Sequence, residues 1–336
     1  VGLGMGAESQ PEEAIHEVLQ QGAAPLILGL QPSALVDHVA RVDWSLLHQI
    51  PGDPGGSIPI DIEEMEHILG AVNDHILSFP EYPSPVRTIA GGSVANTLRG
   101  LSSAFGITSG IIGACGDDEQ GRLFVSNMSS NGVNLSRLRR MNGTTPQCVC
   151  LVDEAVNRTM RPCFSHTVRL QADGLEREDF KGSMMVRNFR LPLLQLLESG
   201  DVDVCFANED EATELLRGEE RNDPEAALEF LARHSRWVVV TLGSNGCIAK
   251  HGKQVVRVPA IGATNAVDAT GAGDLFASGF IYGLVKGLSL EECCRVGSCS
   301  GGSVTRALGG ELTPENRQWL YKQMQINGLP VPELNR

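Results

Sequence analysis

The stretch that decides the fold is VDATGAGDLFASGFIYGLVKG, residues 267–287. A Gly-Ala-Gly turn, Gly271 to Gly273 with Ala272 between them, opens a helix whose first turn carries Asp274. Such glycines let successive backbone N–H groups point at one spot, and the helix N-terminus adds positive potential there. The turn predicts an anion hole beside a carboxylate that takes a proton from an attacking hydroxyl. Taken alone, the pattern also fits a plain tight turn with an acidic residue near the helix dipole.

Outward from this stretch, apolar runs alternate with amphipathic segments. The runs APLILGL, ITSGIIGACG, VDVCFAN and RWVVVTLG are typical of buried strands, and GCIAKHG with KQVVRVPA predicts an antiparallel hairpin. Ser93 is expected to cap a helix that Gly106 closes. Further helices are expected at 185–199, 209–217, 224–234, 273–287 and 290–306. The alternation predicts a doubly wound, mainly parallel α/β sheet flanked by helices.

The domain organisation expected from this pattern is one large unit with a small appendage. Residues 1–24 are interpreted as a polar leader, 25–320 as the main domain and 321–336 as a C-terminal tail. Strands near 35–45, 84–92 and 145–165 are expected to form a small β lid.

Composition limits the partners. The chain has 336 residues, of which 42% are hydrophobic, and its formal net charge is −14. A field of that sign repels nucleic acid and anionic lipid, so we expect neither nucleic acid nor a membrane as partner, and an anionic ligand must be held by local groups. The nine cysteines include Cys148 and Cys150 in a C-x-C but no C-x-x-C, which favours reduced, buried thiols and a cytoplasmic location.

Two stretches carry a family resemblance. The segment from Asp268 to Asp274 is similar to the D-T-x-G-A-G-D signature of the ribokinase-like, or pfkB, carbohydrate and nucleoside kinases, with Ala269 in the Thr place. AGGSVANTLRGLSSAFG and IIGACGDDEQGRLFVSNMSSNGVN resemble the N-terminal signature of that family. The matching positions there are Gly91, Gly92, Asn96, Gly116, Asp118 and Gly121.

The resemblance implies ATP-dependent phosphorylation of a hydroxymethyl group on a sugar or nucleoside, with Asp274 as the base. Asp37, Gly91, Gly92 and Asn96 are implied to bind the acceptor. A solvated loop carboxylate for Asp37, and a plain turn and cap for the other three, remain the simpler alternatives. The stretches SALVDHVARVD, GGSVANT and VNRTM lean slightly toward adenosine-kinase-like members.

The nucleotide side is implied by two further motifs. FANEDEATELL matches the N-x-x-E motif of the family, so Asn208 and Glu211 are implied to organise Mg²⁺, largely through water; a helix cap is the alternative. VVVTLGSNG implies that Thr241, Gly243 and Gly246 line the ATP. Asp268 and Thr270 correspond to positions where many members bind a monovalent cation such as K⁺.

The sequence departs from the family after Ser183. The family has a strand, a helix and a second strand there, whereas too few residues remain between Gly182 and Asp201 for a βαβ unit of about 30 residues. A catalytically silent member with a regulatory or structural role is therefore the alternative function. Monomer and homodimer both remain open.

Overall fold

The computed structural model describes residues 26–75, 86–175, 183–187 and 202–333. The predicted leader at 1–24 lies outside these residues. The strands are β1 (Leu26–Gln31), β2 (Leu35–Arg41), β3 (Val86–Gly91), β4 (Ser109–Gly116), β5 (Asn134–Met141), β6 (Gln147–Val152), β7 (Arg158–Cys163), β8 (Ser183–Arg187), β9 (Val204–Asn208), β10 (Trp237–Thr241), β11 (Cys247–His251) and β12 (Gln254–Val258). The α-helices are α1 (Trp44–Leu47), α2 (Ile62–Val72), α3 (Ser93–Phe105), α4 (Glu119–Ser130), α5 (Glu209–Leu215), α6 (Pro224–Leu231), α7 (Ala272–Val285), α8 (Leu290–Val304) and α9 (Pro314–Ile326).

The first sheet is parallel and has the order β5-β4-β1-β8. Helix α3 precedes β4 and helix α4 precedes β5, so helices make the crossovers that parallel strands need. Ile27, Leu98 and Ile111, from β1, α3 and β4, are buried together in the largest apolar cluster. This sheet and its helices form the doubly wound half that the sequence predicts.

The second sheet has the order β12-β11-β10-β9. Strands β9 and β10 are parallel and are connected through α5 and α6, while β10, β11 and β12 run antiparallel. The hairpin predicted from GCIAKHG and KQVVRVPA is confirmed as β11 and β12. Asn208 and Thr241 are register partners at the carboxyl ends of the two parallel strands, which is where open α/β sheets bind ligands.

Helix α7 packs against the second sheet on one side and against α3 on the other. The Phe280 ring lies 5.3 Å from the ring of Phe206 in β9, edge to face. On the other side, the Ser278 hydroxyl donates to the Thr97 carbonyl in α3 at 2.9 Å. The helix that follows the Gly-Ala-Gly turn is therefore buried between both halves, which holds its N-terminus in place.

The third sheet, β3-β2-β6-β7, occupies the stretches in which lid strands are predicted. One face packs on α1 and α2 through Val149 and Leu151, and the other packs against Leu308. Asp37 lies in β2, so its carboxylate is held by this sheet. The role of this sheet as a lid stays a prediction.

The chain after residue 182 differs from the expectation. The helix predicted at 185–199 is wrong at its start, because residues 183–187 form β8 and pair with β1 from Leu26 to Leu30. Residues 188–200 lie outside the described part. Within the described part, β8 and β9 belong to different sheets. The absence of a βαβ unit between them stays a prediction.

Three smaller differences concern boundaries. The N-cap of α3 is Gly92 rather than Ser93, although Gly106 ends the helix in a left-handed conformation as predicted. The predicted tail at 321–336 does not begin at 321, because α9 runs through that point and Met324 and Leu329 are buried in the main core. Strand β5 was not predicted. Across the described ranges, no helix combines the length and apolar character that a bilayer crossing needs.

Candidate active site

Asp274 and Asn96 lie where the first turns of two helices meet. The Asn96 side-chain amide donates to Asp274 Oδ2 at 2.9 Å, and the Thr97 hydroxyl donates to the Asp274 backbone carbonyl at 3.3 Å. Desolvation by the surrounding protein raises the pKa of Asp274, while hydrogen bonds from Asn96 and Ser93 oppose this effect. The arrangement gives an oriented carboxylate with enhanced basicity.

The turn before Asp274 has no side-chain cap. Gly271 is the N-cap of α7, with a left-handed φ of 76°, and no side chain caps this helix. A Cβ on Gly271 would lie 2.7 Å from Gly310 Cα, so only glycine fits there. A Cβ on Gly273 would meet nothing within 4 Å. The Cβ side of Gly273 is therefore open, whereas the Ala272 N–H already donates to the Ala269 carbonyl at 3.2 Å.

Asp37 is buried beside the same site. A Cβ on Gly91 would lie 2.2 Å from the Asp37 carboxyl carbon, so glycine at that position is what admits this carboxylate. Burial raises the pKa of Asp37 from 3.8 to about 7; the positive charge of Arg99 opposes the rise, and the negative charge of Asp274 adds to it. Among the described residues, Asp37 Oδ1 has no hydrogen-bond partner. A buried carboxylate oxygen of this kind is ready to accept a ligand hydroxyl.

Arg99 positions Asn96, and sequence reasoning missed it. Its guanidinium donates to Asn96 Oδ1 at 2.7 Å, to the Ala90 carbonyl at 2.7 Å and to the Gly310 carbonyl at 3.0 Å. The side chain is fully buried in α3. One arginine thus fixes the amide that bonds Asp274 and ties it to the loop that packs on Gly271.

That loop, residues 308–311, is held by a second arginine. Arg87 in β3 forms an ion pair with Glu311 at 2.7 Å and donates to the Leu308 carbonyl. Asn127 of α4 and Asn131, the C-cap of that helix, donate to the other carboxylate oxygen of Glu311. Burial would raise the pKa of Glu311, but the positive charges of Arg99 and Arg87 and these amides outweigh it, so the pKa is lowered.

Asp268 and Thr270 form hydrogen bonds that stabilise this arrangement. Asp268 Oδ1 accepts from the backbone N–H and the hydroxyl of Thr270, at 2.8 and 2.7 Å, and Oδ2 accepts from the Gly309 N–H at 2.7 Å. These bonds tie the chain before the anion hole to the 308–311 loop. The geometry gives no support for a monovalent cation here.

Gly92 is the N-cap of α3, and the side chain of Gln31 at the end of β1 holds the backbone around it. The Gln31 side-chain amide donates to the Gly91 carbonyl at 3.2 Å, and its oxygen accepts from the Ala95 N–H at 3.0 Å. The glycine pair is therefore part of the same site, although its contact with an acceptor stays a prediction.

The other N-terminal signature residues hold the backbone. Asp118 caps α4 by accepting from the Gly121 N–H at 2.9 Å, and it also accepts from the N–H and hydroxyl of Thr145 at 2.8 and 2.6 Å. Gly121 packs on the Gly116 carbonyl. This explains the G-x-D-x-x-G spacing without a ligand.

The predicted nucleotide residues form a separate group at the carboxyl end of the second sheet. Asn208 and Glu211 make a reciprocal capping box on α5, with bonds of 2.8 and 3.0 Å, and both side chains are exposed. Thr241 ends β10, and Gly243 and Gly246 bound the turn that follows. Within the described ranges, no hydrogen bond or ion pair joins this group to Asp274. The cap interpretation of Asn208 is thus confirmed, and a ligand role stays a prediction.

Arg158 at the start of β7 is a further site residue that sequence reasoning did not single out. Its positive charge lowers the pKa of both Asp37 and Asp274. It belongs to the stretch VNRTM, which leans slightly toward adenosine-kinase-like members.

The family model of pfkB family carbohydrate kinases matches residues 69–181 and 175–316. The chain belongs to the pfkB family of carbohydrate kinases. The two matched ranges overlap at residues 175–181, just before the point where a βαβ unit is predicted to be missing. The match confirms the family resemblance and the kinase class, and it gives no support to a catalytically silent role.

Individual pfkB relatives agree in fold and class. An uncharacterized sugar kinase of Archaeoglobus fulgidus is 28% identical over 230 residues, which cover 58% of this chain and 90% of that protein. A nucleoside kinase of Methanocaldococcus jannaschii is 24% identical over 274 residues, covering 70% and 88%. The crystal structure of adenosine kinase from Sinorhizobium meliloti is similar with a TM-score of 0.75 and 28% identity, covering 88% of this chain and 98% of that one. The ribokinase-like α/β fold is confirmed.

Proposed function

We propose that this pfkB kinase transfers the γ-phosphoryl group of ATP to a hydroxymethyl group of a sugar or nucleoside, with Asp274 as the general base. The observation that carries the proposal is the Asn96–Asp274 hydrogen bond, which orients a desolvated carboxylate beside the uncapped first turn of α7. Proton acceptance and anion binding are thereby brought to one place, as phosphoryl transfer requires.

The acceptor site is proposed around Asp37. Its unpartnered Oδ1 supports hydrogen bonding to an acceptor hydroxyl, because a buried carboxylate oxygen without a donor is costly until a ligand supplies one. Asn96, Gly91 and Gly92 border the same space and complete the proposed acceptor site. Asp274 then takes the proton from the hydroxyl, whose oxygen attacks the terminal phosphorus of ATP, and the bond from that phosphorus to the bridging oxygen breaks, so that ADP leaves.

The N–H groups of Gly271, Ala272 and Gly273 are proposed to hold the transferring phosphoryl oxygens. The open space over Gly273 and the missing side-chain cap support this role. Donors that are already oriented stabilise the charge that develops in the transition state without reorganising.

The nucleotide is proposed to lie along Asn208, Thr241, Gly243 and Gly246. Glu211 fits a hydrated Mg²⁺, because its carboxylate is exposed and only Oε2 is used by the capping box. When bound, Mg²⁺ would neutralise phosphate charge there. A monovalent cation at Asp268 and Thr270 stays a prediction, and Asp268 accepts three hydrogen bonds there, two from Thr270 and one from Gly309.

The test is turnover of ATP with a panel of ribose, fructose, inositol and nucleosides, comparing the natural chain with Asp274→Asn. We expect kcat on the best acceptor to fall by about 10²–10⁴-fold while the affinity for ATP changes little, because the variant removes the base and leaves the anion hole. A variant that retains near-normal kcat would refute the role of Asp274. Failure of every acceptor with the natural chain would refute the proposed reaction.

A further inference from the structure

Three potential metal ligands meet on the inner face of the third sheet. Cys148 and Cys150 alternate along β6, so both side chains lie on one face of the strand, and Asp37 is the register partner of Cys148 on β2. All three side chains are buried. This face packs toward Leu308 and therefore toward the candidate active site.

The separation of the two sulfur atoms matches a tetrahedral cation. The two sulfur atoms lie 3.7 Å apart, and a carboxylate oxygen of Asp37 and both sulfurs all lie within 4.8 Å of one another. Two thiolates bound at about 2.3 Å around a tetrahedral ion would be about 3.8 Å apart. The sulfur separation thus requires almost no movement on binding.

The carboxylate is what separates this trio from ordinary thiol packing. Two neighbouring cysteines in an apolar cluster satisfy each other through a weak S–H···S contact and need no metal. Asp37, however, brings a buried oxygen that lacks a partner among the described residues. A buried polar atom without a hydrogen-bond partner is unfavourable unless a ligand or a metal ion supplies the missing interaction.

We propose that Asp37, Cys148 and Cys150 bind a thiophilic d¹⁰ cation of the Zn²⁺ class. Two soft sulfur ligands favour such an ion over Mg²⁺ or Ca²⁺, which take oxygen ligands. Three protein ligands leave the fourth tetrahedral position to water or to another small oxygen ligand. Both thiols release their protons to solvent on binding.

One consequence rests on the proposed function. If Asp37 binds the acceptor hydroxyl, the cation and the acceptor need the same carboxylate, so zinc should inhibit competitively with the acceptor and not with ATP. Direct metal binding does not depend on that function and is therefore the primary test.

The experiment titrates the reduced, metal-free protein with Cd²⁺, whose bonds to thiolates absorb in the ultraviolet. We expect saturation at one equivalent in the natural chain and loss of the saturable absorbance in the double variant Cys148→Ser, Cys150→Ser. The matched control is Cys299→Ser, a buried cysteine in the main core, which should keep the full signal. Asp37→Asn retains both thiols and should bind Cd²⁺ more weakly while keeping the absorbance at saturation.

The outcomes separate the possibilities. Absence of saturable absorbance in the natural chain would overturn the proposal, as would equal signals in the control and the double variant. If the double variant does not fold, weaker binding by Asp37→Asn at unchanged thiol content still supports the site, and unchanged binding by it overturns the site. Cadmium binding without competition between zinc and the acceptor would leave the metal site standing and would count only against the acceptor role of Asp37.

Discussion

Replacing Asp37 by asparagine should remove a decrease in the free energy of unfolding that the natural chain undergoes as the pH rises. The pKa of Asp37 rises from 3.8 to about 7 because burial disfavours the charged form. Between these values the unfolded chain has lost the Asp37 proton and the folded chain keeps it. Stability from this group is therefore fully present below about pH 3.8 and is lost as the pH rises through about 7.

The size of the effect follows from the shift. Each pKa unit corresponds to about 1.4 kcal/mol, so a shift of about three units is worth about 4 kcal/mol. Since Asp37 is 3% exposed, solvent does little to reduce this figure. Relative to Asp37→Asn, the free energy of unfolding of the natural chain should fall by about 1.4 kcal/mol per pH unit across that window. That is a large share of a typical stability of about 5–15 kcal/mol.

The assay is urea unfolding of both proteins from about pH 5 to about pH 8, with a chelator present to remove metal ions. The slope of the stability difference against pH is the diagnostic quantity, because other titrating groups cancel between the two proteins. Asp118→Asn is the flat control: hydrogen bonds from Thr145 and Gly121 outweigh burial and lower the pKa of Asp118 from 3.8, so this group titrates below the range of the assay and its stability difference should not change with pH there. A flat difference for Asp37→Asn would show that this carboxylate is not desolvated, which would remove the physical basis for its acceptor role.

Three other results are expected. Asp37→Ala should raise KM for the acceptor far more than KM for ATP, because a carboxylate that is hydrogen-bonded to the acceptor contributes to ground-state binding. The measurement is steady-state kinetics with both substrates varied. An equal effect on the two KM values would show that Asp37 lies outside the acceptor pocket. Arg99→Lys should lower kcat by about tenfold or more with a smaller change in KM, because lysine cannot reproduce the forked donors that hold Asn96, and an unchanged kcat would count against this positioning role. Inserting a family-like βαβ segment between Ser183 and Met184 should raise both the melting temperature and the turnover, and equal values in the two proteins would show that the fold tolerates the interruption.

Short stretches of sequence predicted the part of the site that is formed by residues close together in the chain. The Gly271 turn, the first-turn position of Asp274 and the helix that follows are all encoded within one short stretch. The Asn96–Asp274 pair joins residues far apart in the chain, and only the family resemblance placed both in one site. The roles of the two aspartates remain predictions, whereas the hydrogen bond between Asn96 and Asp274 is observed.

Other features depend on tertiary contacts that the sequence pattern does not carry. Arg99 reads as a polar residue in an amphipathic helix, yet it is fully buried because the Gly310 loop supplies a distant carbonyl. The stretch SMMVR, residues 183–187, has residues typical of a helix, but it pairs with the edge of β1 instead. An open strand edge provides a row of backbone hydrogen-bond partners, and these override a weak local preference.

The interruption of the sheet should affect the two halves of the site unequally. Asp37, Asn96 and Asp274 are held by β2, α3, α7 and the 308–311 loop, and their described contacts do not involve β8. Asn208 ends β9, whose side chains are partly exposed while those of Val238 to Val240 in the neighbouring strand are fully buried. If a βαβ unit is missing as predicted, we therefore expect its cost to fall on the strand that carries the proposed nucleotide residues. Since Phe280 of α7 packs directly on Phe206 of β9, motion at that edge would reach the anion hole through the helix rather than through the acceptor pocket.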